Sequence, residues 1–195
     1  FLIMATCPVL VHAEPLNQWS VGFHRLSFLD PVDGQPMNDI AFYPSTDDEV
    51  HSRIGVYDID AGEDAKIAIG HYPLLVLSHG NVGTPLALHD LITALARKGF
   101  VVVAVLHPGD TFKDHSRTGT LSNLYGRPMQ ISAAISAVLD ENSLSAYVDA
   151  DQVGVIGYSA GGETALILAG AEPDLNRLRR YCQERPDDHD ACTTQ

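Results

Sequence analysis

Apolar and polar positions change their rhythm near residue 70. Before that point Gly22-Phe23-His24-Arg25-Leu26-Ser27-Phe28-Leu29 alternates with period two, Pro31-Val32-Asp33-Gly34 has turn chemistry, and Asp39-Ile40-Ala41-Phe42-Tyr43-Pro44 returns. This predicts an N-terminal β-hairpin. Residues 45–70 are acidic and glycine-bearing, which predicts a surface loop with one short strand near residues 54–57. Beyond residue 73 the pattern is different. Leu74-Leu75-Val76-Leu77 and Phe100-Val101-Val102-Val103-Ala104-Val105-Leu106 are nearly unbroken apolar runs, the signature of strands buried on both faces, and Val153-Gly154-Val155-Ile156 is a third.

Helical periodicity fills the intervals. Thr84-Pro85 offers an N-cap and a proline at the first helical position; Leu88, Leu91, Ile92 and Leu95 form one stripe, and Gly99 follows Arg97-Lys98 as a stop. A second helix is expected from about Pro128 to Glu141, with Ile131, Ile135, Val138 and Leu139 on one side. A third, rich in Ala and Leu, runs from Glu163 to Gly170. Strand and helix alternating in this way predict the α/β class, with a parallel sheet covered on both faces through right-handed crossovers. The chain shows no internal repeat, and 195 residues suit a single domain.

Charge narrows the partners. A formal net charge of −13 repels nucleic-acid backbones and anionic membrane surfaces but says nothing about neutral substrates. The uncharged stretch Phe1-Leu2-Ile3-Met4-Ala5-Thr6-Cys7-Pro8-Val9-Leu10-Val11-His12-Ala13 is too short to span a bilayer, so no transmembrane anchor is expected. It reads as part of a secretory signal peptide cleaved after Ala13, placing the mature domain at 14–195 in a secreted or periplasmic setting; an apolar N-terminal strand is the other reading. Cys182 and Cys192 form an even pair in a polar segment, where a disulfide would contribute about 2–3 kcal/mol in an oxidising compartment. The nine histidines show no metal-ligand spacing, so no metal site is expected.

The strongest candidate chemistry lies at Gly157-Tyr158-Ser159-Ala160-Gly161-Gly162, between a β-branched run and a helix. A Gly-x-Ser-x-Gly turn in that context is a nucleophile elbow: the serine takes a strained backbone at the tip, and the flanking glycines remove side chains that would collide with strand and helix. Ser159 is the expected nucleophile. The helix that follows points free N–H groups at the reacting centre, and the Ala160 N–H is the first expected oxyanion donor. The second is the Asn81 N–H, on the loop Ser78-His79-Gly80-Asn81-Val82-Gly83 at the carboxyl end of a strand. His79 precedes the nucleophile, whereas in this motif order the base follows it, so His79 is read as structuring the loop. With Tyr158 and His107 it is also assigned to the substrate side of the site. The longer loop from His107 to Gly126 adds Asp110, His115 and Arg117 as candidates for a substrate entrance.

Leu75-Val76-Leu77-Ser78-His79-Gly80, Lys98-Gly99-Phe100-Val101-Val102, His107-Pro108-Gly109 and Gly157-Tyr158-Ser159-Ala160-Gly161-Gly162, in that order, resemble α/β-hydrolases of the platelet-activating-factor acetylhydrolase and predicted dienelactone hydrolase group. The likeness runs from about residue 20 to 192. It implies an α/β-hydrolase fold with an N-terminal hairpin, and an exported serine ester hydrolase that needs no cofactor and acts on a small-molecule ester or lipid-like substrate. Dienelactone hydrolases proper carry a cysteine where Ser159 stands, and Tyr158 and Ala160 replace the His and Phe common in the acetylhydrolases.

In this family the triad acid and base follow the nucleophile on later strands. His189 is the sole histidine after Ser159, between Asp188 and Asp190 inside the short cysteine loop with no strand before it. The expectation is therefore that residues 14–195 are the N-terminal portion of one α/β-hydrolase domain, lacking the strands that carry the acid and base, and inactive alone. A non-catalytic binding protein of the same fold is the alternative, and peptidase activity stays open beside esterase activity.

Overall fold

A computed structural model describes residues 19–192; the expected signal segment, residues 1–13, lies outside them. The first alternating runs form β1 (Ser20–Leu29) and β2 (Pro36–Ser45), an antiparallel hairpin in which Leu26 faces Asp39. Residues 45–70 hold more structure than expected. β3 (His51–Ile54) and β4 (Tyr57–Asp60) make a separate antiparallel hairpin, and the short β5 (Gly62–Glu63) pairs with β1. The segment expected as a strand, 54–57, is the turn of that hairpin, with Gly55 at φ 62°. Its acidic outer face masks the alternation that buries Ile54 and Ile59.

The continuous apolar runs become β6 (Tyr72–Ser78), β7 (Val101–Val105) and β8 (Val148–Gly157), mutually parallel, with β7 joined antiparallel to β2. The sheet order is β5-β1-β2-β7-β6-β8. Three helices follow these strands in turn: α1 (His89–Arg97), α2 (Leu121–Asp140) and α3 (Ala160–Leu168). Successive residues of a strand face opposite ways. Val101, Val103 and Val105 accordingly pack with Ile131, Ala134 and Val138 of α2, while Val102 and Ala104 pack with Ile92 and Ala96 of α1. Both faces are covered as expected, and Leu168 places α3 on the α2 side. The chain leaves β6 and β7 towards opposite faces, so their carboxyl ends form the crevice where such sheets concentrate chemistry.

Two helix boundaries differ from the sequence pattern. Thr84 Oγ1 accepts from the Leu86 N–H, but Pro85–Leu88 is a 3-10 turn, so α1 begins later and its phase shifts: Leu91 is exposed, and Ile92, Thr93 and Ala96 form the buried face. The exit is as expected, with Gly99 at φ 90° and a Schellman pair, Gly99 N–H to Ala96 O and Phe100 N–H to Leu95 O. α2 starts at Leu121 rather than Pro128. Thr120 Oγ1 caps it by accepting from the Asn123 N–H at 3.1 Å, and Pro128 sits inside the helix. An interior proline costs about 3 kcal/mol; here the face that the helix buries, from Asn123 through Val138, outweighs it.

α4 (Leu175–Glu184) and α5 (His189–Cys192) lie at the periphery, and α4 buries no residue. The Cys182–Cys192 disulfide joins them. Asp39, by contrast, is a carboxylate in the core. It is 1% exposed on the α2 side of the sheet between Met37 and Ala41; Oδ1 accepts the Leu106 N–H at 2.9 Å, and Oδ2 has no partner among the described residues. Burial outweighs that one bond and pushes the carboxyl up to about 8.

Two expectations follow. An acid whose folded value is raised from 3.8 to about 8 contributes stability that is full below 3.8 and lost as pH rises through 8. The Tm advantage of Asp39→Asn over the native chain therefore widens across that window and levels off above it, by several degrees in thermal melts; a gap independent of pH would contradict the assignment. Reducing the disulfide speeds hydrogen exchange across 175–192 and leaves β6 and β7 protected, since α4 adds nothing to the core.

Candidate active site

β8 ends in the elbow. Ser159 has φ 53° and ψ −121°, a left-handed conformation that costs a non-glycine residue roughly 1–3 kcal/mol. Backbone bonds hold it there: Tyr158 N–H to Ser78 O (3.1 Å), Gly161 N–H to Tyr158 O (2.9 Å) and Gly162 N–H to Ser159 O (2.8 Å). The glycines are demanded by proximity. A Cβ on Gly157 would lie 2.0 Å from the Gly161 carbonyl oxygen, and one on Gly161 would lie 1.9 Å from the Ser78 carbonyl oxygen.

Ser159 itself is exposed at the start of α3, and its hydroxyl makes no hydrogen bond among the described residues. The loop after β6 lies against it, for a Cβ on Gly80 would stand 3.1 Å from Ser159 Cβ. Among the described residues neither the Asn81 N–H nor the Ala160 N–H has an acceptor. The amide directly after Ser159 and the amide directly after Gly80 are thus both without an acceptor among the described residues. Tyr158 is exposed next to them.

The two histidines assigned to the substrate side are placed elsewhere. His79 and His107 are buried, their rings in edge contact 5.0 Å apart behind the loop rather than at its mouth. Nδ1–H of His79 donates to Gly80 O (2.7 Å) and Nε2 accepts the His107 N–H (3.3 Å). His107 Nδ1–H donates to Gln130 Oε1 (2.7 Å), and its Nε2 accepts from the Ser78 hydroxyl (2.8 Å). Burial holds both imidazoles below their ordinary value, His107 well below it, with the Arg127 charge adding to the effect. Both are neutral, and neither has a ring nitrogen left for Ser159. Ser78 and His107 look like a nucleophile and its base, but both are fully buried, out of reach of any substrate.

The network continues through residues the sequence pattern did not bring to the site. Gln130 Nε2 donates to both Asp30 oxygens (3.1 and 3.2 Å), and Asp30 also receives Arg117 Nη1 (3.0 Å), whose other nitrogen binds Asp33. Arg117 therefore clasps the long loop to the hairpin turn instead of facing a substrate. Asp110 is buried and paired with Arg127 at 2.9 Å, while His115 is exposed. The available signal was the phase of α2. Arg127 and Gln130 fall on the same face as Ile131, Ala134 and Val138, and an arginine on a core face has to be paired. Starting the helix at Pro128 conceals it.

No protein-family model matches the chain. Two curated relatives from Thermobifida alba, cutinase est1 and cutinase est2, are 34% and 33% identical over 106 residues, which is 53% of this chain and 32% of each relative. The matched region is thus about a third of the length of those relatives. Among solved structures, a ferulic acid esterase from Streptomyces cinnamoneus aligns with a TM-score of 0.66 at 23% identity, covering 80% of this chain and 57% of that one. Together with the hairpin, the parallel strands and the elbow, this likeness shows that the chain adopts the α/β-hydrolase fold.

Proposed function

We propose that the protein is a serine carboxylic-ester hydrolase and that Ser159 is its nucleophile. The observation that carries this is the exposed, strained Ser159, followed by the Ala160 amide and packed against the Gly80–Asn81 loop, with neither the Ala160 nor the Asn81 N–H having an acceptor among the described residues. Ser159 Oγ attacks the ester carbonyl as its proton passes to a base, and the carbonyl oxygen becomes an oxyanion held by the Asn81 and Ala160 N–H groups. Collapse expels the alcohol and leaves an acyl-serine; water then adds to it, and the acid departs as the serine regains its proton. The α3 dipole favours the anion at the same place.

The base and its orienting carboxylate come from outside the described residues in this reading. His79 and His107 are committed within the network, and His189 stands in the small α5 beside the disulfide. Val82, Phe112 and Tyr158 are exposed apolar side chains around the mouth, with the Phe112 N–H bonded to Gly83 O at 3.2 Å, and they suit an ester with an apolar or aromatic group. Cutinases and a ferulic acid esterase as relatives support ester chemistry; the finer likeness to acetylhydrolases and dienelactone hydrolases rests on the motifs alone. The disulfide supports an oxidising, exported setting, and no helix among the described residues is long and apolar enough to cross a membrane.

A fluorophosphonate probe should label Ser159 in the protein as its gene encodes it, and Ser159→Ala should remove labelling and ester hydrolysis together. A folded protein that stays unlabelled would favour a non-catalytic binding role. The 195-residue chain tested by itself should turn over esters at least about 1000-fold more slowly than an intact triad enzyme, since only binding and the oxyanion donors remain. Hydrolysis at the intact rate would show that a base lies within it.

A further inference from the structure

The loop carrying Asn81 contains its own strained residue. Val82 has φ 58°, a left-handed backbone that crowds a β-branched side chain, so surrounding contacts must impose it. One buried ion pair supplies them at both ends. The Val82 N–H donates to Asp110 Oδ1 at 2.8 Å, and the His79 carbonyl accepts from Arg127 Nη2. Asp110 Oδ2 and Arg127 Nη1 meet at 2.9 Å. Gly80 and Asn81 are thus suspended between two backbone positions tied to the same pair, and Gly83 N–H to Gly80 O (3.2 Å) closes the turn.

The pair is itself anchored. Thr118 Oγ1 and Asn123 Nδ2 each donate to Asp110 at 2.7 Å, and Arg127 Nη2 also reaches Ser78 Oγ at 3.4 Å. Both side chains are buried, and Arg127 Nε has no acceptor among the described residues. A buried pair with an unpaired N–H gains little stability over apolar side chains of the same size, whereas this one ties two backbone positions of the loop to each other. Neither side chain hydrogen-bonds Ser159.

We propose that the Arg127–Asp110 pair is a positioning device that fixes residues 79–82 so that the Asn81 N–H faces Ser159. What this does for the reaction rests on the serine-hydrolase reading; the pinning of the loop does not. An oxyanion exists only near the transition state, so a slack loop lowers kcat and leaves KM nearly unchanged.

The test compares Arg127→Met, Arg127→Lys and Asp110→Asn in the protein as its gene encodes it. It reads amide hydrogen exchange at Asn81 and Val82, melting, and kcat and KM on p-nitrophenyl acetate. Arg127→Met should speed exchange at those two amides by about 10-fold or more while β6 and β7 stay protected, and should lower kcat by about 100-fold with KM within about 2-fold. Arg127→Lys should recover part of both effects, because an ammonium can reach the His79 carbonyl or Asp110 but lacks the fork that joins them. Should Arg127→Met fail to fold, Asp110→Asn gives the same reading at Val82 with nearly unchanged shape. Unchanged exchange and kcat in a folded variant would overturn the proposal, and so would loss of β6 and β7 protection in all three. If the native protein neither hydrolyses the ester nor labels at Ser159, the hydrolase reading fails, while the exchange data still decide the pinning.

Discussion

Helix α3 can begin where it does only because its first turn passes almost in contact with the end of β6. The space left between Gly161 and the Ser78 carbonyl will not admit a methyl group, and the same carbonyl accepts the Tyr158 N–H. That closeness forces the chain to reverse at Ser159 in a left-handed conformation, which lifts the hydroxyl clear of the sheet and puts it beside the next loop. Strain here is local, and the parallel pairing of β6 with β8 holds it in place.

Ser78 joins the elbow to the polar layer behind it. Its carbonyl holds the turn, while its hydroxyl enters the run through His107 and Gln130 to Asp30. The layer sits over the crevice between β6 and β7, where buried irregular backbone needs polar partners. Two neutral imidazoles suit that place, because each offers one donor and one acceptor and adds no charge to bury. The charges that are present, on Asp110 and Arg127, lie against each other. Burial works against ionised Asp110, but hydrogen bonds from Val82, Thr118 and Asn123 and the Arg127 charge outweigh it and hold the carboxyl below its ordinary range.

The sheet and the elbow were legible in the sequence because each is written locally. Unbroken runs such as Val101–Val105 can only be strands covered on both sides, and Gly157, Ser159 and Gly161 encode one turn. What the sequence hid depends on partners far along the chain. Histidines are common near substrate sites, and nothing adjacent to His79 and His107 shows that the first spends its ring on Gly80 and the His107 backbone and the second on Ser78 and Gln130. Arg127 is separated from Asp110 by the start of a helix whose N-cap, Thr120, is less conspicuous than the proline inside it. Asp39 lies in an otherwise apolar alternation, and only the fold shows that it faces the core.

The most direct measurement is a crystal structure of the protein after reaction with an organophosphonate that mimics the tetrahedral intermediate. Phosphorus bonded to Ser159 Oγ, with the phosphonyl oxygen about 2.7–3.1 Å from the backbone nitrogens of both Asn81 and Ala160, is the expected result. An adduct on another residue, or an oxygen on Ser159 pointing away from both amides, would contradict it.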